Sequence, residues 1–208
     1  MRTLLIFSLL LGAACGGDDD GVDSNEEARR AYLGLDLSIE KTLDLGMDGF
    51  NAADNANIPD QSGVGDEDGT IVVSGQVDSG ASDNKGLRLY VDMVAYTDGV
   101  VVIDEDDDGE DDLELEITYD TDPADLPYVE LSLRNIPQDT GTGTLTGTLL
   151  GTYGMSGDLE GTVTLDLAMS GDIEGDGSGG ISRVVGSTTV TGTATSDDDG
   201  VYDIDLTL

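Results

Sequence analysis

Two periods of apolar residues divide the chain. Between residues 24 and 53, apolar side chains recur at Tyr32, Leu35, Ile39, Leu43, Met47 and Phe50, one stripe of a helix. Ser24 followed three residues later by Glu27 has capping-box spacing, and Glu26 and Glu27 suit the positive end of the helix dipole. A strand-like alternation at Leu33, Leu35, Leu37 and Ile39 competes with the stripe, and Gly34, Gly46 and Gly49 each weaken a helix by up to about 1 kcal/mol. The length of the stripe and its cap favour one helix, stopped by Asn55, Asn57 and Pro59. Residues 61–68 read as a Gly/Asp loop.

From residue 69 the period is two. Strands are predicted over 70–78, 87–96, 100–104, 113–120, 128–135, 143–152, 159–169, 181–195 and 201–208, with 181–195 either two strands or one bulged near Gly186. Leu113, Leu115, Ile117 and Tyr119 oppose Glu114, Glu116 and Thr118. Val163, Leu165, Leu167 and Met169 oppose Thr162, Thr164 and Asp166, and Tyr202, Ile204, Leu206 and Leu208 oppose Asp203, Asp205 and Thr207. One apolar and one wet face mark antiparallel sheets rather than buried parallel ones. Asp68-Gly69, Asp98-Gly99 and Asp199-Gly200 are hairpin signals, since both residue types tolerate positive φ. The recurring GTIVVSG, GTLTGTLLG, GTVTLDLAMSG and STTVTGTA read as successive hairpins of a meander. The fold expected is mainly β (α+β): an antiparallel meander sheet or barrel of about 8–10 strands with one N-terminal helix packed on it, as a single domain over 24–208. A membrane β-barrel also alternates, but aromatic girdles are missing and acids lie on the polar face of nearly every strand.

The first fifteen residues, MRTLLIFSLLLGAAC, change the picture of where this domain resides. Arg2 is a positive n-region, Leu4 to Leu11 a short apolar run, and Gly12, Ala13 and Ala14 are small. The run is far shorter than the roughly 20 residues a spanning helix needs. The segment resembles a bacterial lipobox, with Ala13 and Ala14 before Cys15, departing from it at Gly12, where Leu is usual. The resemblance implies a lipoprotein: 1–14 removed as signal peptide, Cys15 lipidated, and 15–23 (CGGDDDGVD) an acidic tether. Cys15 is also the only cysteine, so a covalent lipid accounts for a thiol with no disulfide partner. Gly16 stands where an Asp would imply retention in the inner membrane, so the resemblance leans to the outer membrane. A secreted protein, cut at an A-x-A-like site, is the alternative.

Composition narrows the chemistry. The formal net charge is −37, from 45 acids against 8 bases, which repels nucleic acid and anionic surfaces and favours cations or basic partners. There is no His, hence no imidazole base and no His-based metal site. No Trp and two Phe argue against an aromatic sugar-binding platform. Paired-carboxylate catalysis needs two acids at a set separation, and among 45 acids no pairing stands out.

One run stands out as a candidate cation site: DEDDDGEDD over 104–112. Asp104, Asp106 and Asp108 followed by Gly109, with Asp112 beyond, resemble the DxDxDGxxD loops of calcium-binding repeat proteins. Leu115 occupies the place of the bidentate Glu of a full EF-hand. A solvated hairpin turn is the simpler reading of an acid run. Calcium is the one cofactor the sequence raises.

The expectation is therefore a non-enzymatic envelope lipoprotein, held to a membrane through its N-terminal lipid, with a structural or protein-interaction role and an envelope protein as partner. The alternatives are a carrier of an apolar ligand between helix and curved sheet, lined by Tyr32, Leu35, Ile39, Leu43 and Phe50, and a calcium-binding surface module.

Overall fold

The computed structural model describes residues 21–79, 83–103, 113–137, 141–175, 180–198 and 200–208, with the backbone alone at 78 and 79. Helix α1 spans Asn25–Leu33 and begins as its sequence dictates. The Ser24 hydroxyl accepts from Glu27 N at 3.2 Å and donates to Glu27 Oε2 at 3.0 Å, while the same carboxylate oxygen accepts from Asp23 N at 2.8 Å. Burial alone would raise the Glu27 pKa, but these hydrogen bonds outweigh it and hold the carboxyl below the usual 4.5.

The predicted stripe is intact, but two helical segments carry it. α2 spans Asp36–Ala52 and is separated from α1 by Gly34 and Leu35. The cause is tertiary. A Cβ on Gly34 would lie 2.6 Å from Tyr119 Oη and 3.2 Å from Ile117 Cδ1, so the strand carrying those two residues comes too close for any side chain at the break. Tyr32, Leu35, Ile39, Leu43 and Met47 are buried on either side of the break. No helix among the described residues is long and apolar enough to cross a membrane.

The strands are β1 (Asn57–Val64), β2 (Asp68–Ser79), β3 (Asn84–Thr97), β4 (Val101–Ile103), β5 (Leu113–Leu115), β6 (Ile117–Asp120) and β7 (Tyr128–Arg134). After them come β8 (Thr142–Gly157), β9 (Gly161–Gly175), β10 (Ile181–Arg183), β11 (Thr189–Ser196) and β12 (Val201–Thr207). β4 and β5 form a separate hairpin; all others join one antiparallel sheet. β6 and β7 lie end to end in the row between β3 and β8, with 121–127 looped out between them. The ring of pairings β3–β6–β8–β7 therefore encloses that loop, not a lumen. β10 and β11 likewise share the row beside β9, parted at 184–188, where Gly186 has φ 76°. This is the break anticipated near Gly186. Counted as rows, the sheet runs in chain order from β1 to β12, the expected meander.

β1 was not legible as a strand. Its segment NIPDQSGV has one buried apolar residue, Ile58, and contains Pro59. It pairs only with β2, and its register slips between Ile58 and Gln61, the edge position and irregularity at which proline is tolerated. β9 also outruns its predicted end at 169, because its partners β8 and β10 continue the ladder to Gly175.

The sheet is curled. Glu40 and Lys41 are neighbours on α2, yet Glu40 Oε1 accepts from Arg183 N on β10 at 3.1 Å and Lys41 Nζ donates to Val64 O on β1 at 3.1 Å. Two extended side chains on adjacent residues hold those backbones within roughly 20 Å, whereas six row spacings of a flat sheet would part them by about 29 Å. Edge strands β1 and β12 share no ladder; α2 packs against β1 and α1 against β12, covering the interior between them. Inward residues such as Leu87, Leu89, Val91 and Met93 of β3 and Val163, Leu165 and Leu167 of β9 are buried with the helical stripe in one core.

Candidate functional site: a tyrosine-lined groove

The expected pocket residues lie in that core. Tyr32 and Leu35 are inaccessible to solvent, Ile39 and Leu43 are buried, and Phe50 is partly buried with Lys85 Nζ 5.2 Å from its ring centroid. The cavities described below are lined by other residues. Asp104, Asp106, Asp108 and Asp112 lie outside the described residues; the strands entering and leaving that run pair at Ile103 and Leu113. Cys15 also lies outside them.

A different constellation forms on the outer face of the sheet. Because β3 turns Leu87, Leu89 and Val91 inward, Arg88 and Tyr90 point outward; on β7 the same parity sends Tyr128 and Glu130 outward. The register sets Arg88 directly opposite Glu130 and Tyr90 directly opposite Tyr128. Arg88 Nε donates to Glu130 Oε1 at 2.9 Å, and the tyrosine rings meet at 6.2 Å between centroids, tilted by 55°. Each is the kind of cross-strand contact that stabilises a ladder by up to about 1 kcal/mol.

The looped-out segment 121–127 forms the wall. Its two ends are stitched to β3: Thr121 N donates to Met93 O at 3.1 Å and Val91 N to Pro127 O at 2.9 Å. Met93 N donates to Thr121 Oγ1 at 2.8 Å, and Asp122 closes the turn by accepting from Ala124 N at 2.8 Å. Pro127 rests on Gly151 of β8, where any Cβ would lie 2.4 Å from the proline ring. Between wall and sheet is a groove of about 590 Å³ whose sides are Arg88, Tyr90, Asp125, Leu126, Tyr128 and Glu130. A second depression of about 400 Å³ starts at the same Glu130 and runs over Ser132, Thr146 and Thr148.

Two ion clusters elsewhere tie helix to sheet. Arg183 donates Nη1 and Nη2 to the two oxygens of Asp36, each at 2.9 Å, and Nε to Glu40 Oε2 at 2.8 Å; Tyr32 Oη donates to Asp36 Oδ1 at 2.9 Å. Burial alone would lower the Arg183 pKa, but its bonds to Asp36 and Glu40 raise it above the usual value. Beside them is an apolar cavity of about 240 Å³ flanked by Leu37, Val184, Val185 and Leu208. On the opposite flank of α2, Lys41 bonds Asp66 and the buried Asp98, and Tyr96 Oη donates to Asp98 Oδ2 at 2.7 Å.

Sequence reasoning passed over Tyr90 and Tyr128. The available signal was phase: each is an aromatic in the polar phase of an alternating strand, RLYVD and YVELS. That the two meet depends on the β3–β7 register, which alternation does not specify. Comparisons of the chain with protein-family models, with curated proteins and with solved structures found no match in any of the three.

Proposed function

We propose that the chain is a lipid-anchored protein of the cell envelope, presenting an acidic, non-catalytic β domain that binds a partner outside the cytoplasm. The address is supported by Arg2, the apolar run Leu4 to Leu11 and the small residues before Cys15. Two or more acyl chains give stable anchoring, at about 0.8 kcal/mol per buried methylene. The observation that carries the binding role is the direction in which the sheet spends its side chains. The inward face and the helical stripe fill one core, while a groove of about 590 Å³ opens on the outward face. A surface groove flanked by residues 121–127 offers a partner a recess to occupy. The net charge of −37 keeps such a domain soluble and away from anionic surfaces.

Fractionation of cells expressing the full chain tests the anchoring. The protein is expected with the membrane fraction, and Cys15→Ser is expected to remove it from there. Wild-type protein in the cytosolic fraction would reject the proposal.

A further inference from the structure

We infer that the outer-face groove binds an uncharged oligosaccharide, along a track from Tyr90 and Tyr128 over Glu130 to Thr146 and Thr148. The inference rests on the binding role proposed above and names its ligand class.

The chemistry of the groove selects the ligand. A sugar ring has an apolar C–H face and an equatorial rim of hydroxyls. The absence of Trp and the scarcity of Phe speak against a sugar platform built from those residues. Tyrosine still offers a rigid amphipathic surface of the same kind, apolar on its face and polar at its tip, and the register brings two together here. Tyr90 is 36 % exposed, whereas Tyr32, Tyr96, Tyr119 and Tyr153 are all but inaccessible. In a chain with 4 % aromatics, two tyrosines in contact on a wet face are a costly use of a scarce residue. Beside the rings, Arg88 and Glu130 hold each other at 2.9 Å, so a donor fork and an acceptor carboxylate are fixed before a ligand arrives. Adjacent hydroxyls on a sugar match such a pair. Asp125 adds a carboxylate from the wall, and Ser132, Thr146 and Thr148 supply hydroxyls farther on.

Size and charge narrow it further. A groove of about 590 Å³ lies within the roughly 300–1,000 Å³ of small-molecule sites, and the adjoining 400 Å³ extends it beyond one ring. The charge of −37 repels acidic glycans at long range. Inside the groove the charge of Arg88 is met by Glu130, and Asp125 leaves the lining with one net negative charge, so a cationic chain is the competing class that the test includes. A neutral polar ligand avoids that repulsion, and the paired tyrosine faces favour a sugar ring over a lysine chain.

The test uses the full chain carrying Cys15→Ser and a panel of cellohexaose, maltohexaose, mannohexaose and chitohexaose, with hexalysine and a pectic hexa-uronate as charged probes. Binding is read by calorimetry and by tyrosine fluorescence, which no tryptophan masks. At least one neutral hexasaccharide is expected to bind. Tyr128→Ala and Glu130→Gln are each expected to weaken it about tenfold or more, and Tyr128→Phe to retain it. Gly151→Ala, which displaces Pro127, is expected to weaken binding through the wall. Circular dichroism checks that each variant is folded. No neutral hexasaccharide bound, binding unchanged in folded Tyr128→Ala and Glu130→Gln, or hexalysine alone bound with the same sensitivity would each overturn the assignment. Shortened products in the binding mixture would keep the groove assignment and overturn the non-catalytic reading, so the two fail separately.

Discussion

In an unbroken helix the amide of Leu35 would donate to Ala31 O. Here Leu35 N donates instead to Tyr32 O at 2.9 Å, and Ala31 O accepts from Tyr119 Oη at 2.7 Å. A side chain from β6 thus satisfies a carbonyl at the helix break, and Gly34 supplies the space it needs. Burial pushes the Tyr119 hydroxyl well above the usual tyrosine pKa, so it remains a donor at neutral pH. Tyr119→Phe keeps the ring, including its edge-on contact with Tyr153 at 6.3 Å, and deletes only the donor. The expected loss is about 1–3 kcal/mol by chemical denaturation, the cost of stranding a buried acceptor. An unchanged midpoint would mean that the carbonyl finds another partner.

Elements differ in how openly the sequence declares them. β9 and β12 carry apolar–polar alternation over most of their length, interrupted only at Ala168, Gly171 and Val201, so both their existence and their faces follow from pattern. The break between α1 and α2 does not, because it is imposed by Tyr119 and Ile117, more than eighty residues away. β1 lacks alternation altogether and is recruited by the free edge of β2. The groove falls between these cases: Tyr90 and Tyr128 stand visibly out of phase, but only the pairing of β3 with β7 and the loop 121–127 makes a site of them. One element-scale link is testable directly. Arg183 on the short β10 is what joins its row to the first turn of α2, through Asp36 and Glu40. Arg183→Met is expected to cost about 2–3 kcal/mol, by leaving two half-buried carboxylates together without a cation. Arg183→Lys keeps the charge without the planar fork and should recover only part of that. Equal stability of Arg183→Met and wild type would show that the seam is held by apolar packing alone.

At the scale of the whole molecule, the balance of charge and burial predicts an alkaline limit. Burial raises the hydroxyl pKa of Tyr32, Tyr96, Tyr119 and Tyr153 above the usual 10.0, with nearby Asp36 adding to it at Tyr32 and Asp98 at Tyr96. These tyrosines stay protonated in the fold and ionise near 10 in the unfolded chain. Their contribution to stability is complete below pH 10 and is lost as pH rises beyond it. Phenolate absorbance of these four residues is therefore expected to appear together with the loss of ellipticity above pH 10. Their ionisation in a chain that keeps its ellipticity would contradict the burial described.

The central claim concerns where this domain works, and mass spectrometry of the mature N-terminus tests it most directly. Full-length chain recovered from a bacterial host is expected to begin at Cys15 with a diacylglyceryl mass on that residue, and Cys15→Ser to lack it. Recovery of the intact, unmodified leader on protein from the cell interior would contradict the account.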